Sequence, residues 1–301
     1  MKQTLVLVNP KSGTSGPYRF ISAIESIWDT PQNNLFFQFS RSAEDGVEKV
    51  RRAIQQGVDT VLVVGGDGML NTIGCELVGT GVRLGVIPAG SGNGFARHFH
   101  IPLDPEAAAR SLLEGRVQQI DVGRVNGRYF FITCSMAWDA ALVEGFERMP
   151  FRGVFSYVLG GAQQLFEYKP QPFEVLIDEK KYNFKQPLIF TVANLSQFGN
   201  DVLVAPDARS DSGELELVAI EKKDIPIVMS QVHRFIEKTF HHHPLVTNLR
   251  FKNLVLHREN PTPIQVDGEL MQAGKEVSIE VLPAALQVLL PPLTPQKEDA
   301  K

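Results

Sequence analysis

Three short segments in the first third of the chain combine glycine with hydroxyl, amide or charged side chains: Asn9-Pro10-Lys11-Ser12-Gly13, Gly65-Gly66-Asp67-Gly68-Met69-Leu70-Asn71 and Pro88-Ala89-Gly90-Ser91-Gly92-Asn93-Gly94. Each follows a buried apolar run, so each reads as a turn at the carboxyl end of a strand, the edge where open α/β sheets bind ligands. Glycine lets backbone N–H groups approach an anion closely, and a helix that starts there adds the positive end of its dipole. One such turn is often only a turn; three at one edge read as a cradle for a polyphosphate. Neither G-x-x-x-x-G-K-[ST] nor G-x-G-x-x-G occurs, which lowers P-loop NTPases and ordinary dinucleotide enzymes in rank. A carboxylate beside bound phosphates repels them unless a divalent cation stands between, so Asp67 is a candidate for organising Mg²⁺. An Asx turn or a helix N-cap is the other role open to it.

The elements that must position these loops can be read from periodicity. Thr4–Val8, Thr60–Val64 and Val82–Ile87 are short runs with little polar alternation, as expected of parallel strands covered on both faces. Phe20, Ile24, Ile27 and Trp28 recur at helical spacing, as do Val47, Val50 and Ile54, and the order β-α-β-α-β follows. Met69, Leu70, Ile73 and Leu77 give a further helical stripe, and Asp104-Pro105-Glu106 opens a helix through Leu113. From about Gly123 the pattern changes to antiparallel sheet. Asn126-Gly127 between two apolar runs is a hairpin signal, and Phe173–Ile177, Leu188–Ala193, Glu214–Ile220, Leu249–His257 and Val277–Leu282 are further strand candidates. Helical stretches are expected over Ala140–Tyr168 and Asp224–Phe240. The fold class is therefore an α/β N-terminal domain over 1–120, with 285–293 as a stretch that could complete it, a predominantly antiparallel β-sandwich over 121–284, and a disordered tail over 294–301.

Composition bounds the function classes. In 301 residues, 43% are hydrophobic and 25 are glycine, ordinary for a chain with a real core, and disordered and fibrous classes drop out. Thirty Lys and Arg against 34 Asp and Glu give a net charge of −4, so nucleic acid is excluded as a partner and any anion must be held locally. Cys75 and Cys134 fit no disulfide or zinc spacing, which points to a reducing cytoplasm. The N-terminal apolar run is far shorter than a signal-peptide core, and no later window approaches a membrane span.

At this point the sequence resembles a known family. The three loop segments, in order and spacing, look like the nucleotide-loop motifs of the diacylglycerol kinase catalytic family, which includes bacterial lipid kinases, sphingosine kinases and ceramide kinases. Ile120-Asp121-Val122-Gly123-Arg124-Val125-Asn126-Gly127, Ala205-Pro206-Asp207 with Gly213, and Val266-Asp267-Gly268-Glu269 resemble later motifs of its bacterial members, so nearly the whole chain is covered. The resemblance implies a nucleotide-binding α/β domain, a C-terminal β-sandwich, and transfer of the ATP γ-phosphate to a lipid hydroxyl in the cleft between them. It also implies that Asn9, Pro10, Lys11, Ser12, Gly13, Ser40, Gly65, Gly66, Asp67, Gly68, Met69, Leu70, Asn71, Ser91, Gly92 and Asn93 contact ATP, with Asp67 acting with Mg²⁺. Glu269 is the implied acceptor of the lipid hydroxyl proton, with Asp267 close enough to share or orient the charge; read from the residues alone, Asp267-Gly268-Glu269 is a hairpin turn. Two departures stand out. Gly94 follows Asn93 where bacterial diacylglycerol kinases usually carry Asp, which leaves a diacylglycerol-like or a sphingoid-type acceptor open. The family's structural Mg²⁺ turn, Asp-Asp-Gly, reads Asp211-Ser212-Gly213 here; a surviving site would use the carbonyls of Arg209 and Glu214 with Ser212 or Asp211.

Other segments have competing readings. Phe146–Leu159 is apolar with a few arginines and could line a lipid entry path or pack as core. His241-His242-His243 reads better as a solvated helix end than as a metal site, and Asp139 as a headgroup contact or an N-cap. The partners expected are a membrane lipid and the inner membrane face, met transiently from the cytoplasm, with a second copy of the chain left open. The rival readings are a soluble-substrate kinase of the NAD-kinase type, which shares Gly-Gly-Asp-Gly, and a nucleotide- or lipid-binding regulator without turnover.

Overall fold

The computed structural model describes residues 1–10, 16–140, 168–199, 202–222 and 244–293. Lys11, Ser12 and Gly13, the segment 146–159, both helical stretches beyond Ala140 and Asp224, the three adjacent histidines and the tail lie outside them. The chain divides into two compact units, Met1–Ile120 with Leu286–Lys301, and Asp121–Ala285.

In the first unit the elements run β1 (Lys2–Val8), α1 (Tyr18–Trp28), β2 (Asn33–Phe39), α2 (Ala43–Gln55), β3 (Thr60–Gly65), α3 (Asp67–Leu77), β4 (Arg83–Pro88), α4 (Gly94–His98) and α5 (Pro105–Leu113), followed by the start of β5 (Arg116–Val125). The strands pair in parallel in the order β2-β1-β3-β4. Val61 to Val64 are fully buried, the burial that a continuous β-branched run demands. Ser42 caps α2 by accepting from the Asp45 N–H, and Asp104 caps α5 ahead of Pro105. Strand β2 was singled out by no run in the sequence.

The second unit holds the rest of β5, then β6 (Arg128–Phe130), β7 (Thr133–Ser135), β8 (Phe173–Ile177), β9 (Lys180–Phe184), β10 (Pro187–Ala193), β11 (Gln197–Gly199), β12 (Val202–Leu203), β13 (Leu215–Glu221), β14 (Thr247–Phe251), β15 (Asn253–Arg258), β16 (Ile264–Val266), β17 (Glu269–Met271) and most of β18 (Glu276–Leu290). One antiparallel sheet runs β14-β13-β10-β7-β16-β17, and β9, β8, β15 and β18 pair antiparallel in a second layer. Phe190, Leu217, Phe251 and Val266 from the first layer and Phe173, Leu254, Leu256 and Ile279 from the second form one core, with Phe190 edge-on to both Phe173 and Phe184. Two strand expectations are corrected. The run Leu249–His257 is two strands broken at Lys252, and the run Val277–Leu282 is part of a longer strand that continues to Leu290, whose Gln287 and Val288 pair in parallel with β4.

Candidate active site

Four parallel strands of the first unit end at the same edge. Register fixes this: Val8 lies opposite Phe39 and Val64, and Gly65 lies opposite Pro88. The turn residues are tied in sequence to their neighbours, Asn9 N–H donating to the Val64 carbonyl (3.1 Å), Ser40 N–H to the Val8 carbonyl (2.9 Å) and Ala89 N–H to the Gly65 carbonyl (3.0 Å). Asn9, Ser40, Gly65-Gly66 and Ala89-Gly90 are thereby brought to one sheet edge.

The second and third loops meet backbone to backbone. A Cβ on Gly90 would stand 2.6 Å from the Gly66 Cα, and one on Gly66 would stand 3.0 Å from the Gly90 Cα, so neither position admits a side chain without movement. Asp67 fastens the contact: its Oδ2 accepts from the Gly94 N–H (3.0 Å) and its Oδ1 from the Phe95 N–H (3.3 Å), at the start of α4. Burial pushes the Asp67 carboxyl above the usual carboxylate range, and those N–H groups oppose the shift. Asn93, at φ 52°, closes the third loop on itself, its amide oxygen accepting from the Gly90 N–H (3.0 Å) and its amide nitrogen donating to the Gly90 carbonyl (2.8 Å). Ser91 is exposed at the loop tip, Gly92 packs beside the Asp67 carboxylate, and Gly68 and Met69 lie in the first turn of α3. The Leu70 side chain is fully buried in the core and its N–H donates to the Gly66 carbonyl at the start of α3; Asn71 behind it is buried as well.

In the second unit the hairpin of β16 and β17 turns at Asp267-Gly268, both at positive φ (47° and 89°), the requirement of a type I′ turn. Asp267 is buried, and its carboxylate accepts from three successive backbone N–H groups, Phe131 (2.7 Å), Ile132 (2.8 Å) and Thr133 (2.9 Å). Glu269 is exposed, and its Oε2 accepts from the Arg128 guanidinium at 2.5 Å. The open end of the hairpin is held by Arg258, whose guanidinium is buried and donates to the carbonyls of Thr262, Ala273 and Gly274. One carboxylate is an anchor, and its neighbour is presented to solvent.

Residues 3–125 match the model of the diacylglycerol kinase catalytic domain, and residues 133–290 match that of the YegS C-terminal NAD kinase beta sandwich-like domain. The chain belongs to the diacylglycerol kinase catalytic family. Among its relatives, a diacylglycerol kinase of Mycobacterium tuberculosis strain H37Rv is 28% identical over 264 residues, covering 83% of this chain and 82% of that one. One of Staphylococcus saprophyticus is 26% identical over 279 residues, 89% of each. The fold is shared with a diacylglycerol kinase structure from Bacillus anthracis strain Sterne, at a TM-score of 0.75 and 18% identity over 96% of this chain and 97% of that one. As a member of this family, the chain is a lipid kinase.

Family membership implies two magnesium positions, and the donors fit them differently. Beside the nucleotide loops, Asp67 supplies a carboxylate ligand, whose oxygens also accept from the Gly94 and Phe95 N–H groups. At the Asp211-Ser212-Gly213 turn the donors other than Asp211 are neutral. Ser212 Oγ lies 3.1 Å from the Arg209 carbonyl and 3.2 Å from the Glu214 carbonyl, and accepts from the Glu214 N–H at 3.3 Å. The Asp211 carboxylate sits 3.4 Å from the Arg209 guanidinium. The hydroxyl stands within reach of both carbonyls and shares its one hydrogen between them, and Asp121 completes the turn by accepting from the N–H groups of Gly213 (2.6 Å) and Ala284 (2.9 Å). A hydroxyl in place of the second carboxylate makes this turn, with Arg209, Ser212 and Glu214, a poor fit for Mg²⁺. Asp139 is engaged as well, accepting from Ala137, Ala140, Phe190 and the Thr191 hydroxyl, while burial pushes its carboxyl upward.

Sequence reasoning passed over Arg128 and Arg258. A signal for Arg128 was present: it stands directly after Asn126-Gly127, as Glu269 stands directly after Asp267-Gly268.

Proposed function

We propose that this lipid kinase uses ATP with Mg²⁺ as phosphoryl donor and a diacylglycerol-like or sphingoid-type alcohol as acceptor, with Glu269 taking the hydroxyl proton. The observation that carries the nucleotide half is the gathering of Asn9, Ser40, Gly65-Gly66 and Gly90–Asn93 at the carboxyl ends of parallel strands, with backbone N–H groups at the start of α3 lacking a carbonyl one turn back. Bound Mg²⁺ would neutralise phosphate charge, and Asp67 would hold it.

Phosphoryl transfer asks little covalent chemistry of the protein beyond positioning and a base near the attacking oxygen. The acceptor O–H proton passes to the Glu269 carboxylate, the oxygen bonds to the γ-phosphorus, and the bond from that phosphorus to the β-phosphate bridge breaks to release ADP. Asp267 is a poorer choice of base, because its oxygens already accept three N–H bonds. A lipid acceptor lives in a membrane, so peripheral contact with the inner membrane face belongs to the same proposal; among the described residues no helix is long and apolar enough to cross one.

Labelled ATP offered with diacylglycerol, sphingosine and NAD separates the acceptor classes. The expected outcome is label in a lipid and none in NAD, with Glu269→Gln slowing turnover by roughly 10²-fold or more. Label in NAD alone would reverse the acceptor, and Glu269→Gln at the wild-type rate would remove the base.

A further inference from the structure

Arg128 and Glu269 are 141 positions apart in sequence and occupy the same place in two matching hairpins. Asn126-Gly127 turns at φ 47° and 85°, and Asp267-Gly268 at 47° and 89°, so both are type I′ turns. Arg128 closes the first, paired with Val125, and Glu269 closes the second, paired with Val266. Each turn is itself anchored. Asn126 exchanges two bonds with Ser278, its N–H donating to the Ser278 carbonyl and its side-chain oxygen accepting from the Ser278 N–H, both at 2.9 Å. Asp267 is held by the N–H groups of 131–133, the bend that follows β6 and the first residue of β7. Both backbones are therefore fixed before either side chain chooses a rotamer.

An exposed ion pair usually contributes little, because two long side chains lose freedom to form it. Here the restriction has a use: the pair meets at 2.5 Å and leaves the second Glu269 oxygen outside the contact, with the carboxylate half-exposed. We infer that Arg128 is a positioning residue for the phosphoryl transfer, holding the Glu269 carboxylate in the orientation from which it accepts the acceptor's proton. The inference rests on Glu269 being the base. Arg128 takes no proton itself, since a guanidinium stays charged, and its single short bond to Oε2 restricts the rotamers open to the Glu269 carboxylate.

The test is a set of four variants of the full chain, Arg128→Met, Arg128→Lys, Glu269→Gln and the Arg128→Met/Glu269→Gln double, assayed with ATP and dioleoylglycerol in mixed micelles. Thermal midpoints are taken alongside. Arg128→Met is expected to lower kcat roughly 10- to 100-fold with KM for ATP unchanged within about two-fold, because orientation and not nucleotide binding is lost. Arg128→Lys restores part of the rate, and the double variant is no slower than Glu269→Gln alone. Arg128→Met at the wild-type rate, with Glu269→Gln still slow, overturns the positioning role and leaves the base intact. The same loss from Arg128→Met in both backgrounds shows that Arg128 acts without Glu269 and also overturns it. Glu269→Gln at the wild-type rate removes the base and the inference with it. If Arg128→Met lowers the thermal midpoint sharply, the Arg128→Lys rate decides: no recovery over Arg128→Met counts against positioning.

Discussion

Three backbone N–H groups, of Phe131, Ile132 and Thr133, end on the Asp267 carboxylate. Removing the acceptor strands buried donors, each costing about 1–3 kcal/mol. Asp267→Ala is therefore expected to lower unfolding free energy by about 3 kcal/mol or more, some of it from placing Ala at φ 47°. Asp267→Asn tolerates that φ and keeps one acceptor oxygen, so it should fall between Ala and wild type. Glu269→Gln, on an exposed side chain two residues on, should stay within about 0.5 kcal/mol. Urea unfolding of the three variants checks this order, and an Asp267→Ala protein as stable as Glu269→Gln would show that the three bonds do not hold the turn. The same contrast explains why sequence could name both carboxylates without separating them. Their difference is made by residues 131–133 and 128, more than 130 positions away.

Elements were legible where their causes are local. The runs at Thr60–Val64 and Val82–Ile87, the Pro105 helix start and the Asn126-Gly127 turn all appear where their residues place them. Strand β2 was not legible: it opens with two asparagines and runs along the sheet edge with Phe36 and Phe39 exposed, so it lacks the buried run that marks its neighbours. The break at Lys252 has a distant cause, the Asp178 carboxylate accepting from the N–H groups of Lys252 and Asn253 across 74 and 75 positions. The nucleotide loops were visible as glycine-rich turns, but the reason for the paired glycines was not. Gly66 and Gly90 let β3–α3 and β4–α4 approach at backbone distance. Because the clash at Gly90 is with main chain, which cannot swing aside, Gly90→Ala must displace one loop. It should weaken ATP binding by roughly ten-fold or more, and Gly66→Ala by less. Calorimetric titration with a non-hydrolysable ATP analogue measures both, and wild-type affinity in Gly90→Ala would show that the loops do not act together.

At the scale of the molecule the question is how a chain of net charge −4 accommodates a nucleotide triphosphate. In the proposed reading, backbone N–H groups at strand ends would supply part of the answer, and a cation brought in with the nucleotide would supply the rest, with Asp67 as its protein ligand. Nothing comparable is asked of the second unit, where Ser212 Oγ stands against the Arg209 and Glu214 carbonyls and Asp121 accepts from the Gly213 N–H. Among the described residues no three His, Cys, Asp or Glu side chains converge to hold a metal. With Asp67 as the one proposed protein ligand and phosphate oxygens as the others, magnesium should bind with the nucleotide and not to the protein alone. In a thermal unfolding series, Mg²⁺ without nucleotide is expected to leave the midpoint within about 1 °C of that in EDTA, whereas Mg²⁺ with saturating ATP raises it by about 5 °C. Ser212→Asp restores a charged oxygen to the turn and should make the midpoint respond to Mg²⁺ alone. A wild-type midpoint that rises with Mg²⁺ alone, and ceases to rise in Ser212→Ala, would place a metal at the turn and overturn the hydroxyl's role.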